Sequence, residues 1–386
     1  MRTRWTQKGV VHAPSVLALA LAAASGLLLW SCSTEPQTFS PPVLSPGRAG
    51  HAAVTLQDGR ILIIGGWFSD PDDPYGAVAT NTVLAISPVS GRVQEVGHLA
   101  MRRTSFSATL LRDGRVLVAG GQSRDPFAMD RAEIFDPATN RFELVGAPMI
   151  TARYSHTATL LADGRVLLTG GDGRYIDSVN KDSELFDPAT GTFGPAGDMH
   201  HCRTGHTATL LDSGRVLIAG GASWVGGTTI YPADVEQFDP VTGSFALGSD
   251  PYPIPFGYGH IALKVHSGKV LFFDTQTRGA TLYDPGTGLF ESCAGLIHPR
   301  TGASFTLLDT GEIMVIGGYA WPHPSSSVLE IEKYDPRTGV SQEFGRLLQG
   351  RHSHSAHLLP DGRILLVGGS GPDRTFIEAC ELVELR

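Results

Sequence analysis

The chain has 386 residues, 41% hydrophobic and 18% charged, with a formal net charge of −8. That hydrophobic share supports a large core and excludes a disordered chain, and the acidic balance excludes a nucleic-acid partner, which requires a basic face. Apart from Cys32 the cysteines are Cys202, Cys293 and Cys380, which predicts no disulfide framework.

In chain order, Arg2, Arg4 and Lys8 precede an uncharged apolar run from Ser15 to Trp30. The run is short for a membrane span and suits a signal peptide. Leu29-Trp30-Ser31-Cys32 resembles a lipobox, with Trp30 departing from the small or aliphatic residue usual there. The resemblance implies a signal peptide over 1–32, a lipid on Cys32, and an outer-membrane or cell-surface lipoprotein of a bacterium. A plainly secreted protein and a retained N-terminal anchor are the other readings. Cleavage would remove three positive charges and no negative one, leaving a more acidic chain. Residues 33–47, rich in Pro and Ser, read as a tether, and they also stand in the register of a strand preceding a repeat.

The repeat is clearest from Ala152 to Met199. His156–Leu161 reads as a first strand, Asp163-Gly164 as a type I′ hairpin turn, and Val166–Thr169 as a second strand ending at Gly170-Gly171. Paired glycines suggest a bend or a close backbone approach. Ser183–Phe186 alternates as a third strand, Asp187-Pro188-Ala189-Thr190-Gly191 is a type I turn, and Thr192-Phe193 opens a fourth. Four antiparallel strands make one propeller blade.

The second glycine recurs at Gly66, Gly121, Gly171, Gly221, Gly318 and Gly369, with a degenerate unit from Tyr258 to Asp274 in the wide gap. Paired glycines at a period near 50, the Asp-Pro-x-Thr-Gly turn and an Arg-x-x-His start resemble the kelch repeat over residues 39–386. The resemblance implies an all-β fold, a seven-bladed kelch-type β-propeller over 48–386. The last unit is one strand short, so the N-terminal strand within 33–47 is expected to close it and remove two open edges.

Strand order places the first-to-second and third-to-fourth turns on one face. The blade-to-blade connections and the variable second-to-third loops lie on the other. Arg48, Arg103, Arg153, Arg203, Arg300 and Arg351 start the units on that loop-rich face. They could ring a mouth that grips carboxylates or anionic sugars, with Arg48 foremost because its unit has Leu84 where others carry Glu. Alternatively each ties its first strand to a third-strand glutamate, Glu133, Glu184, Glu236, Glu332 or Glu381. The fifth unit lacks the arginine, the glutamate and the glycine pair together. Trp67, Trp224 and Trp321 stand in loops of the same face, either as binding anchors or folded back over blade ends.

His51, His156, His206, His260 and His354 recur three residues into their units, which points to local hydrogen bonding. The clusters His200-His201-Cys202 and His352, His354, His357 have metal-ligand chemistry, but alternate residues of a strand point opposite ways. Galactose oxidase and sialic acid epimerases are built on kelch propellers. The oxidase copper site needs a Tyr-His pair that this sequence lacks, and no acid–base pair stands out. The reading is a non-enzymatic, monomeric binding or scaffold propeller without a cofactor, taking a protein or glycan at its mouth and touching the membrane only through its lipid. The alternative is a carbohydrate-active enzyme of the oxidase or epimerase kind.

Overall fold

A computed structural model describes residues 41–73, 76–124, 127–173, 178–225, 227–248, 257, 259–320 and 327–385, with no helix among them. The repeats form seven antiparallel sheets, the blades of a β-propeller. Blade 1 comprises Ala52–Thr55, Ile61–Ile64, Thr82–Ile86 and Val93–His98. Blade 2 comprises Ser107–Leu110, Val116–Ala119, Ala132–Asp136 and Arg141–Leu144, and blade 3 Thr157–Leu160, Val166–Thr169, Asp182–Asp187 and Thr192–Asp198. Blade 4 follows with Thr207–Leu210, Val216–Ala219, Val235–Asp239 and Ser244–Leu247. Blade 5 has Ile261–Lys264, Val270–Phe273, Ala280–Asp284 and Leu289–Cys293. Blade 6 has Ser304–Leu307, Ile313–Ile316, Glu330–Asp335 and Val340–Arg346, and blade 7 Ser355–Leu358, Ile364–Val367 and Glu381–Val383.

The second strand is buried from end to end in every blade. Neighbouring blades cover both its faces, so it reads as an apolar run, interrupted only by the buried Thr169 of blade 3. The core is correspondingly divided into seams. Leu62, Ile64 and Val83 of blade 1 pack on Val116, Val118 and Phe135 of blade 2, and equivalent clusters fill each later seam. The seam that closes the circle joins Ile61, Ile63 and Ile86 to Leu359, Leu365 and Val367, with Leu44 fully buried among them.

The N-terminal segment completes blade 7 in part. Leu44 N donates to Glu378 O (2.8 Å) and Cys380 N donates to Pro42 O (3.0 Å), an antiparallel pairing just ahead of the third strand. Residues 33–40, the rest of the expected closing strand, and the leader with Cys32 lie outside the described residues.

One turn differs from expectation. At Asp163-Gly164 only Gly164 has positive φ (93°), and its N donates to Leu161 O (3.0 Å) while Leu161 N donates to Arg165 O (2.8 Å). This is a type I turn with a glycine bulge rather than type I′. Asp163 Oδ1 accepts from Arg165 N and its Oδ2 from Arg165 Nε, but the same backbone bonds form at Ser267-Gly268, where no aspartate stands.

The glycine pair acts between blades. Gly121 N donates to Arg153 O of the next blade (2.9 Å), and Gly171, Gly318 and Gly369 repeat the bond to Arg203, Arg351 and Arg48. The preceding Gly120 has φ 64°, and a Cβ there would lie 2.5 Å from Arg153 O and 2.8 Å from His156 Cε1. Only glycine admits the neighbouring blade so closely.

Candidate functional site

The two faces are fixed by bonds between loops. Ala49, Thr104, Thr204 and His352, each following a unit's arginine, bridge to Trp67, Gln122, Ala222 and Ser370 in the second-to-third loops. Connections and long loops therefore share one rim. On the opposite face Arg60, Arg115 and Arg165 beside the hairpin tips donate to Pro137 O, Pro188 O and Pro240 O in the next blade's turn. That face is used to latch blades together.

The six unit-starting arginines are on the rim side of the chain but turned inward, at most 1% exposed. Arg103 Nη2 lies 2.6 Å from Glu133 Oε1, and Arg153, Arg203, Arg300 and Arg351 pair likewise with Glu184, Glu236, Glu332 and Glu381. Each Nη1 also donates to the carbonyl of the first paired glycine in its own blade. The glutamates accept in addition from backbone N–H groups of the connection, for example Ala100 N to Glu133 Oε2 at 2.8 Å. The arginines therefore offer no guanidinium to a ligand at the mouth, which corrects that reading of them. The reason is geometric: a polar connection that crosses a buried blade end needs internal partners.

Arg48 is buried too, although its blade has no third-strand glutamate. It donates to Thr82 O (3.3 Å), Thr82 Oγ1 (3.1 Å) and Gly65 O (3.4 Å). Burial lowers its guanidinium to about 10, only partly opposed by Glu95.

The repeated histidines hold seams rather than local turns. His156 Nε2 is 2.9 Å from Ser107 Oγ of the preceding blade, and His206, His260, His354 and His51 reach Thr157, Thr207, Ser304 and Ser355 in the same way. Burial holds His51, His156, His206 and His354 near 3 and His260 near 4. The run His200-His201 splits, His200 to Glu236 (3.1 Å) and His201 to Asp234 (2.8 Å).

The rim presents aromatic side chains. Trp67 opens a hairpin of Trp67–Ser69 with Ala77–Ala79, and Trp224 sits on a second hairpin, Ser223–Val225 with Thr228–Ile230. Trp224 is 43% exposed and Tyr231 46%. Trp321 lies outside the described residues. Between the loops of blades 1 and 2 is a groove of about 620 Å3 lined by Trp67, Ala77, Val78, Arg102, Gln122 and Phe127, among others. Phe127 continues edge-on to Tyr154 of blade 3, ring centres 5.5 Å apart, so the aromatic surface runs across three blades.

Sequence reasoning missed Arg102 and Asp172. Asp172, in the blade 3 loop, accepts from Thr204 Oγ1 (2.7 Å), and burial raises its carboxyl above the usual range. Its signal was its place directly after the glycine pair, at the mouth.

No family model matches the chain. A stretch of 111 residues, 28% of the chain, is 24% identical to a putative F-box/kelch-repeat protein of Arabidopsis thaliana, and the match spans 32% of that protein's length. The structure of a fungal alcohol oxidase of the AA5 family, in complex with copper, matches 87% of the chain and 73% of its own, with TM-score 0.65 at 18% identity. The chain thus resembles kelch-repeat proteins and has a galactose oxidase-like seven-bladed propeller fold. Among the described residues no three His, Cys, Asp or Glu side chains converge where they could hold a metal ion.

Proposed function

We propose that the chain is a binding or scaffold propeller of a bacterial envelope, anchored through a lipid on Cys32, that recognises a protein or glycan with its loop-rich rim. The observation that carries this reading is the division of labour between residue classes. The arginines and histidines common to the units are consumed inside the ring, whereas the aromatic residues that vary between units stand on one rim, with Phe127, Trp224 and Tyr231 each more than 40% exposed. Rigid scaffolds carrying variable, aromatic-bearing loops on one face are where recognition sits.

The test pairs Trp224→Ala and Phe127→Ala with a screen of purified chain against a glycan array and isolated envelope proteins. A specific ligand should lose roughly 1–3 kcal/mol of affinity per variant, the range of interface anchors, while melting stays nearly constant. Loss of several degrees of melting with unchanged affinity would overturn the reading. For the anchor, mass spectrometry of the membrane form should find acylated Cys32, and Cys32→Ala should release or stall the protein. An unmodified N-terminus downstream of Cys32 in the medium contradicts it.

A further inference from the structure

The seven blades supply internal controls for one another, and one position departs from what the fold requires. The residue immediately before the unit-starting arginine is Gly47, Ala152, Cys202, Pro299 or Gly350 in five blades. A Cβ on Gly47 would lie 2.5 Å from Phe376 O, and one on Gly350 would lie 2.6 Å from Ser327 Cβ, because the preceding blade's loop packs against the connection there. In blade 2 the same position is Arg102, and it is exposed.

Room for it lies beside the blade 1 hairpin, whose small residues Ala77, Val78 and Ala79 line the groove. Arg102 therefore lines the groove together with Trp67 from blade 1 and Phe127 and Gln122 from blade 2. Nothing in the ring's construction asks for a guanidinium there, since Arg103 already makes the buried bonds to Glu133, Gly120 and Arg131. Arg102 has no carboxylate partner among the described residues. The other cation of the lining, Arg124, is matched by Asp73 of the facing loop at 3.0 Å, a pair that links the two walls. Asp70 and Asp72 stand further along the hairpin, outside the lining.

We infer that this groove is a subsite for an acidic saccharide, with Arg102 gripping a ring carboxylate, Trp67 and Phe127 taking the apolar faces of the sugar, and Gln122 bonding to hydroxyls. A guanidinium matches a carboxylate with two parallel donors. Aromatic side chains give a flat apolar surface beside polar groups, the combination that a pyranose ring with one C–H face and equatorial hydroxyls requires. The groove is of the size that encloses small ligands. In an acidic protein a cation with no carboxylate partner among the described residues, set in an aromatic groove, selects for anionic over neutral or cationic ligands.

This rests on the binding-module reading above and deepens it. The test titrates the full purified chain with a trigalacturonate and with its neutral methyl ester, by calorimetry at low salt. The acid should bind at least roughly tenfold more tightly than the ester, the scale of one charge-assisted hydrogen-bonded pair. Arg102→Met should abolish that preference without lowering melting, Arg102→Lys should keep part of it, and Phe127→Ala should weaken acid and ester alike. Equal binding of acid and ester, or a preference that survives Arg102→Met, overturns the carboxylate assignment while leaving the rim as a binding surface. Absence of binding by both overturns the saccharide subsite, and the screen with Trp224→Ala then decides the module reading separately.

Discussion

His156 Nε2 lies 2.9 Å from Ser107 Oγ across the seam between blades 3 and 2, and four further histidines make the same bond to a Ser or Thr of the blade before. The imidazoles are buried, and a charged imidazole there would lose its hydration and face the cationic Arg153, Arg203, Arg351 or Arg48. Their folded values, near 3 to 4, lie below the unfolded value of 6.5. The unfolded chain therefore takes up protons first, so stability is full above pH 6.5 and declines as pH falls toward 3. Each histidine contributes a slope of up to about 1.4 kcal/mol per pH unit in that window. Urea unfolding at pH 7.5, 6.5 and 5.5 should show a steep fall below 6.5, before carboxylates titrate. A flat midpoint would contradict the buried, neutral ring.

The buried pairs should behave as structural elements. Glu133→Gln leaves Arg103 fully buried without its carboxylate and should cost about 3–5 kcal/mol, measured by denaturant unfolding, with affinity at the rim unchanged. Arg48→Met should cost less than Arg103→Met, because blade 1 has Leu84 where Glu133 would be orphaned. Equal costs would show that the glutamates do not set the energetics of these sites.

Two glycines of blade 2 separate close approach from simple flexibility. Gly120→Ala meets both a positive φ and the neighbouring blade's backbone, and should lose about 2–5 kcal/mol. Gly146→Ala has nothing within 4 Å and should change stability by less than about 0.5 kcal/mol. Similar melting of the two variants would refute the seam role of the pair.

Closure of the ring can be tested from the N-terminal side. Deleting 33–44 removes the pairing of Pro42–Leu44 with Glu378–Cys380 and takes Leu44 out of the closing seam. The cost should include at least the roughly 2–5 kcal/mol of losing one buried leucine. Melting within a degree or two of the parent would mean that these residues only tether.

The blades were legible in the sequence because their signals are local: the Asp-Gly tip, the Asp-Pro-x-Thr-Gly turn and the apolar second strand all lie within one unit. The turn class at Asp163 was not, since Asp-Gly suits both type I′ and a bulged type I turn, and the choice shows only in the backbone bonds of Leu161 to Gly164 and Arg165. Contacts between blades were harder to read. His156 and Ser107 are 49 residues apart, one full period, so the repeated histidine looked local. The Arg–Glu pairing was visible as co-occurrence within units, but only burial decides it against a surface role for Arg48. Arg102 was readable in principle, as one large residue in a column of Gly, Ala, Cys and Pro, and was masked by the arginine beside it.

The central claim is that recognition belongs to the rim of connections and long loops, not to the buried arginines or the latched face. Radical footprinting of the chain with and without its ligand tests this most directly, because it reads both faces in one experiment. The expected result is protection of Phe127, Trp224 and Tyr231, with the hairpin tips around Arg60, Arg115 and Arg165 labelled equally in both states. Protection of those tips, with the three rim aromatics labelled as before, would contradict it.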